Sequence, residues 1–248
     1  MDNKRLHLLN TVVDPLTMEE TINLITNNIN SNQKTYQISL NASKVNLLFE
    51  NPFLREIIEK APLVNADGFS IILAAKFLGK FIPERVAGID LFENLIEVAE
   101  KNRWSIFYFG ATEDIVNSVY CIHKEKYQNL NIAGFRNGYF TEEEEPEIVA
   151  EINKSEAKLL FIALPSPAKE LWIDKYKDSL NCQFIMGVGG SFDVISNKTK
   201  RAPVWMQKYG CEWLYRFIQE PKRMFRRYFI GNILFLQKII IERISDGI

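Results

Sequence analysis

The chain has 248 residues, of which 47% are hydrophobic and 25% charged, and its formal net charge is −1. That length fits one large domain or a domain with an appendage, and the ordinary globular balance excludes a disordered chain, a collagen and a small disulfide-stapled scaffold. Three widely spaced cysteines and two histidines, His7 and His123, give no zinc-ligand spacing and almost nothing for a histidine-assisted nucleophile. The first ten residues lack the apolar run of a signal peptide, and no apolar stretch reaches about 18 residues, so a cytosolic chain that does not span a bilayer is expected.

The near-neutral charge conceals an asymmetry. Residues 198–248 carry a net charge of +7 and the remaining 197 residues −8. A basic end on an acidic body fits an anionic partner, and it equally fits a solvated basic helix pair.

In chain order, Thr17-Met18-Glu19-Glu20 is a capping box, and Ile22, Ile25 and Ile29 follow at helical spacing. Thr35 to Leu40 reads as a strand, with a helical pattern opening at Ala42. Pro52 starts a short helix that ends near Ala61. Leu63-Val64-Asn65 is strand-like and leads through Asp67-Gly68 into an apolar helix from Phe69. A loop runs from Gly79 to Gly88, and a helix resumes near Asp90. Three further strands are predicted at Trp104–Phe109, Leu130–Phe135 and Lys158–Ala163, and a fourth at Gln183–Met186. Continuous apolar strands alternating with helices predict a Rossmann-like α/β fold, a parallel sheet covered on both faces. In such folds ligands sit beyond the carboxyl ends of the strands, where the Gly and Pro turns of this chain fall. After Arg201-Ala202-Pro203, aromatic and basic residues interleave, and an apolar helix over Ile233–Ile244 closes the chain. Residues 1–195 are therefore read as the α/β core and 196–248 as a basic, aromatic helical appendage.

Asp67 ends a strand, where a carboxylate suits a general base or the N-cap of the next helix. Ser39 and Asn41 end the neighbouring strand and could bind a polar ligand, while Asn41 fits equally as an N-cap. Gly110, Gly138 and the turn Gly187-Val188-Gly189-Gly190 could admit a diphosphate to backbone amides, or could serve as tight-turn glycines. Neither GxGxxG nor GxxxxGK[ST] occurs, which argues against a nicotinamide enzyme and a P-loop. Arg216, Arg223 and Arg227 would share a face on a continuous helix, but Pro221 can break it. The run Glu142–Glu145 reads as a solvated first helical turn, His123 as a helix-surface residue, and the cysteines as small buried hydrophobes.

Several motifs together resemble one family. They are Asn65-Ala66-Asp67-Gly68, Glu84-Arg85-Val86-Ala87-Gly88-Ile89-Asp90-Leu91, Phe109-Gly110-Ala111 and Gly138-Tyr139-Phe140. The series continues with Pro165-Ser166-Pro167, Gly187 to Asp193, Arg201-Ala202-Pro203, Glu212 to Arg216, Glu220-Pro221-Lys222-Arg223 and Arg226-Arg227-Tyr228. In this order they resemble the WecG/TagA/CpsF glycosyltransferases over about residues 8–236. The resemblance implies an inverting transferase with no metal site and no cofactor. It would move N-acetylmannosamine or its uronic acid from a UDP-sugar to a sugar on a polyprenyl diphosphate, for teichoic acid or surface polysaccharide. The implied setting is peripheral, at the cytoplasmic face of the cell membrane, with no nucleic-acid partner and with room for a homo-oligomer. Carried onto this chain, Asp67 becomes the base, with Ser39 and Arg85 beside it in the catalytic group. The implied substrate-binding positions are Asn41, Gly110, Ala111, Gly138, Tyr139, Lys169, Gly187, Gly189, Arg216, Arg223 and Arg226. Ser39 stands where the family usually has Thr, and Lys169 where it usually has Gln. That lysine would pair with a phosphate or uronic carboxylate, or lie exposed on its helix. The rival from another class is a non-catalytic nucleotide- or lipid-binding α/β module in which Asp67 is only a cap.

Overall fold

A computed structural model describes residues 5–245; within that range the side chains of Arg223, Arg226 and Arg227 lie outside the described residues. A hairpin of β1 (Leu6–Leu8) and β2 (Thr11–Val13) precedes α1 (Met18–Asn30) and β3 (Thr35–Leu40). Then come α2 (Ala42–Glu50), α3 (Pro52–Lys60), β4 (Leu63–Ala66), α4 (Phe69–Phe77) and α5 (Gly88–Asn102). The second half of the core holds β5 (Ser105–Gly110), α6 (Glu113–Lys126), β6 (Asn131–Arg136) and α7 (Glu145–Lys154). It ends with β7 (Leu159–Ala163), α8 (Ala168–Tyr176), β8 (Phe184–Gly187) and α9 (Ser191–Ile195). Beyond it lie α10 (Val204–Lys208), α11 (Glu212–Gln219), α12 (Pro221–Phe225), a π-helical turn (Arg226–Ile230) and α13 (Gly231–Ser245).

Six strands form one all-parallel sheet in the order β4-β3-β8-β7-β5-β6. All six were legible as apolar or strand-like runs; the N-terminal hairpin was not. Its turn puts Leu9 and Asn10 at φ of 51° and 59°, without the glycine that normally announces such a turn. Alternation along β5 shows why the sheet needs cover on both sides. Phe107 and Phe109 enter one core with residues of α2, α3, α4, α7 and α8, while Ile106 and Tyr108 enter the other with residues of α1, α5 and α6. Each such aromatic contributes roughly 1.5–3 kcal/mol through burial.

The structure departs from three of the sequence readings. His123 is not on the surface. It is 1% exposed, with Nδ1 2.5 Å from the Tyr108 hydroxyl and Nε2 3.0 Å from Glu93. Its helix turns that side to the core between Val119 and Tyr127, and a sequence with polar neighbours on both sides hides this. Of the cysteines only Cys182 is buried, and burial pushes its thiol up to about 12; Cys121 is exposed and Cys211 half-buried. The glutamate run is also less solvated than expected at its end. Glu145 is buried and accepts hydrogen bonds from Lys175 and from Tyr176.

Candidate active site

At the carboxyl end of β4 the amides of Asp67 and Gly68 both donate to the Leu40 carbonyl, at 2.9 and 3.2 Å. This turns the chain sharply over the end of β3. Val86 then donates to the Ala66 carbonyl at 2.9 Å and draws the 79–88 loop against the same strand end. As a result the Gly88 amide donates to Asp67 Oδ1 at 2.9 Å. Asp67 therefore does cap a helix, but not the one that follows it. The N-cap of α4 is Gly68, with no side-chain cap bond, whereas Asp67 holds the first amide of α5, 21 residues away. Asp67 is half-buried, and its second oxygen has no hydrogen-bond partner among the described residues. One oxygen is thus fixed while the other can take a proton.

Ser39 lies beside it. A Cβ at Gly88 would approach Ser39 Oγ to 3.2 Å, so the glycine is what allows hydroxyl, carboxylate and helix start to converge. Beneath them is a polar network that the apolar look of the strands conceals. Gln37 Nε2 donates to Ser39 Oγ (3.2 Å) and Asn65 Oδ1 (3.1 Å), and Asn65 Nδ2 donates to Thr21 Oγ1 (3.0 Å). Gln37, Asn65 and Thr21 are all buried, so the network forms a polar floor under the strand ends, with Gln37 Oε1 left without a hydrogen-bond partner. Its sequence signal was the polar alternation Thr35, Gln37, Ser39 along β3.

Asn41 caps α2 through Lys44 N (3.0 Å), as its capping alternative anticipated. Its helix carries Lys44 inward to Glu170, 2.7 Å away, with the two side chains 5% and 1% exposed. Lys169 is buried, not an exposed helix residue. Its ammonium meets Ser166 Oγ, lies 3.1 Å from Glu170, and its stem passes so close to Gly187 that a Cβ there would come within 2.8 Å. Burial alone would raise the Glu170 pKa, but Lys44 and Lys169 overcome it and hold the carboxyl at about 2. Gly189, at φ +52°, turns the backbone beside this cluster.

The C-terminal helices reach the same end of the sheet. Arg216 Nη1 lies 4.0 Å from where a Cβ on Gly190 would be. Arg85 donates to Glu212 of α11 at 2.5 Å; Arg201 binds both oxygens of Asp90, at 2.7 and 2.8 Å, with Nε 3.8 Å from Glu212. Glu212, Asp90 and Arg201 thus join the strand ends to α11, a role that their places in the sequence motifs do not reveal. Pro221 does separate α11 from α12, so the three arginines do not share one continuous helix. Arg223 and Arg226 lie outside the described side chains.

Gly110, Ala111, Gly138 and Tyr139 gather elsewhere, at the ends of β5 and β6. There the Ala111 amide donates to Ala163 (3.0 Å), Gly138 to Ala111 (2.8 Å) and Tyr139 to Asn137 (3.0 Å). Those amides are engaged, and the first turn of α6 carries Glu113 and Asp114, which repel a phosphate. Among the described residues no group of three or more His, Cys, Asp or Glu side chains could hold a metal, and no helix is long and apolar enough to cross a membrane.

Residues 6–247 match the glycosyl transferase WecG/TagA/CpsF family. The chain belongs to that family. This glycosyl transferase is similar to two Bacillus proteins, each named N-acetylglucosaminyldiphosphoundecaprenol N-acetyl-beta-D-mannosaminyltransferase. One, from Bacillus spizizenii strain W23, is 29% identical over 223 residues, covering 90% of this chain and 86% of the relative. The other, from Bacillus subtilis strain 168, is 32% identical over 168 residues, covering 68% and 65%.

Proposed function

We propose that the protein transfers an N-acetylmannosamine-like residue, or its uronic acid, from a UDP-sugar to a sugar borne on polyprenyl diphosphate, with inversion. It would act at the cytoplasmic face of the cell membrane, in teichoic acid or surface-polysaccharide synthesis. The observation that carries this reading is the half-fixed carboxylate of Asp67, held at one oxygen by Gly88 and open at the other. In the proposed step the acceptor hydroxyl oxygen attacks the anomeric carbon, its proton passes to Asp67, and the bond to the UDP oxygen breaks. General-base assistance of this kind is worth about 10²–10⁴ in rate.

In this reading Ser39 and Asn41 contact the sugar beside Asp67. Arg85 and Arg216, with Arg223 and Arg226 from the appendage, offset the charge that grows on the departing diphosphate. In this reading the unit 1–195 supplies the base and 196–248 supplies cations and the membrane contact. The names of the two Bacillus relatives support the acceptor class and the sugar transferred.

The test is a panel of UDP-sugars with a short-chain prenyl-diphosphate N-acetylglucosamine acceptor, product formation read by mass spectrometry with and without EDTA. Transfer from one donor, undiminished by EDTA, is expected. UDP binding without transfer from any donor would favour the non-catalytic nucleotide-binding module instead.

A further inference from the structure

Helix α4 begins two residues after Asp67, and both of its sides are apolar. Ile71, Ala74, Ala75 and the following Leu78 fill the core, while Phe69, Leu73 and Phe77 recur every four residues on the outer side. There Leu73 is 54% and Phe77 52% exposed, and Phe81 just beyond is 77% exposed. A helix apolar all round belongs in a core or against another apolar phase, not in water.

The appendage brackets α4 at both ends. At the N-terminal end Gly210 rests on Phe69 so closely that a Cβ would come 2.6 Å from its ring. At the C-terminal end Arg243 donates to the Phe77 carbonyl (2.6 Å) and lies over its ring at 5.3 Å, and Lys80 sits 3.5 Å from Glu242. Helix α13 buries Phe235 and Ile239 and leaves Ile233, Leu236, Ile240 and Ile244 exposed, a stripe at helical spacing. These flanking contacts hold apolar strips of the core and the appendage in fixed relation. Apolar surface on this scale marks an interaction site.

We infer that α4 is the core's own contact with a lipid bilayer, and that it sets Asp67 at the height of the lipid headgroups. The charge pattern selects the occupant. Residues 69–77 contain no Asp or Glu; Lys76 stands exposed on the helix itself, and Lys208 stands exposed two residues before Gly210, which rests on Phe69. An apolar face fringed by lysines is the signature of an interfacial helix attracted to anionic lipid. Such a helix lies in the interface plane with its apolar side about 5–10 Å into the boundary region. Asp67, joined to its first turn through Gly68, then stays at headgroup level. A sugar joined to a prenyl chain by a diphosphate presents its hydroxyl at that level. The link to this acceptor rests on the function proposed above; the lipid contact itself does not.

The experiment compares the full-length chain with Leu73→Glu, Leu73→Ser and Phe81→Ser. Sedimentation is measured with phosphatidylcholine vesicles containing phosphatidylglycerol, and transfer is measured with both a water-soluble and a vesicle-embedded acceptor. Leu73→Glu is expected to weaken vesicle partitioning about tenfold or more, since removing one buried leucine already costs that much. Both serine variants should fall between it and wild type. Turnover on the soluble acceptor should change less than about twofold, while KM for the embedded acceptor rises. Unchanged sedimentation of all three variants overturns the inference. So does a wild-type dimer by light scattering that Leu73→Glu splits without altering vesicle binding, because the strip would then be a self-interface. Absence of transfer by every form would defeat the proposed function, while sedimentation would still decide the role of α4.

Discussion

The two halves of the sheet's carboxyl edge differ in the side chains they present. At β4, β3 and β8 the strand ends carry side chains with chemistry: Asp67, Ser39, and the Lys44–Glu170–Lys169 cluster, with Arg216 over the Gly190 turn. At β5 and β6 the strand ends are stitched to β7 by their own backbone, and glycine is present because nothing larger fits. A Cβ at Gly110 would strike the Ala163 backbone at 2.6 Å, and one at Gly138 would meet Leu164 at 2.6 Å. Both halves contain glycine-rich turns of similar appearance. The turn amides are engaged in both halves, those of Asp67 and Gly68 to Leu40 and those of Val188 and Gly189 to Ile162, so the proposed site rests on the side chains of the first half.

The sharpest test of that contrast is Asp67→Asn. The amide oxygen can still accept from Gly88, so the melting temperature should hold, while kcat falls by about 10²–10⁴. Wild-type kcat in the folded variant would move the base elsewhere.

Lys44→Met should act on stability. Removing one partner of a buried ion pair costs about 3–5 kcal/mol, and Lys169 places this variant at the low end, read by urea unfolding at neutral pH. The pH dependence has a definite sign. Glu170 is held at about 2, below its ordinary 4.5, so the native chain binds fewer protons than the unfolded one. Its contribution is complete above about pH 4.5 and is lost as pH falls toward 2. In Lys44→Met that part of the acid slope should flatten; an unchanged slope would show that Lys169 alone holds the carboxylate.

On the other half, Gly110→Ala adds a Cβ at φ +120° against backbone, so a loss of about 1–3 kcal/mol is expected with donor KM unchanged in the folded fraction. A raised KM at full stability would make the β5 turn part of the site. The smallest effect is expected from Tyr139→Ala. That side chain is mostly exposed and its amide is bound to Asn137, so kcat/KM should move less than about twofold. A tenfold loss would extend the site across the whole edge.

What the sequence determined by itself was everything set by neighbours within a few residues. The Thr17/Glu20 capping box, Pro52 at the start of α3 and the capping alternative for Asn41 depend only on near neighbours, and each stands in the structure. The central strands β5, β7 and β8 were equally plain as apolar runs, because a parallel sheet covered on both faces buries them from both sides. Motif order named the family without showing how its residues meet. Tertiary structure alone decided that Asp67 caps α5 instead of α4, that Lys44 crosses to Glu170, and that Glu212 holds Arg85. It alone buried His123 and exposed Cys121. The partners in these pairs stand 21 to 127 residues apart, brought together by crossovers and by the folding-back of the appendage. Periodicity reports which face of an element is apolar; it carries no information on which distant side chain that face will meet.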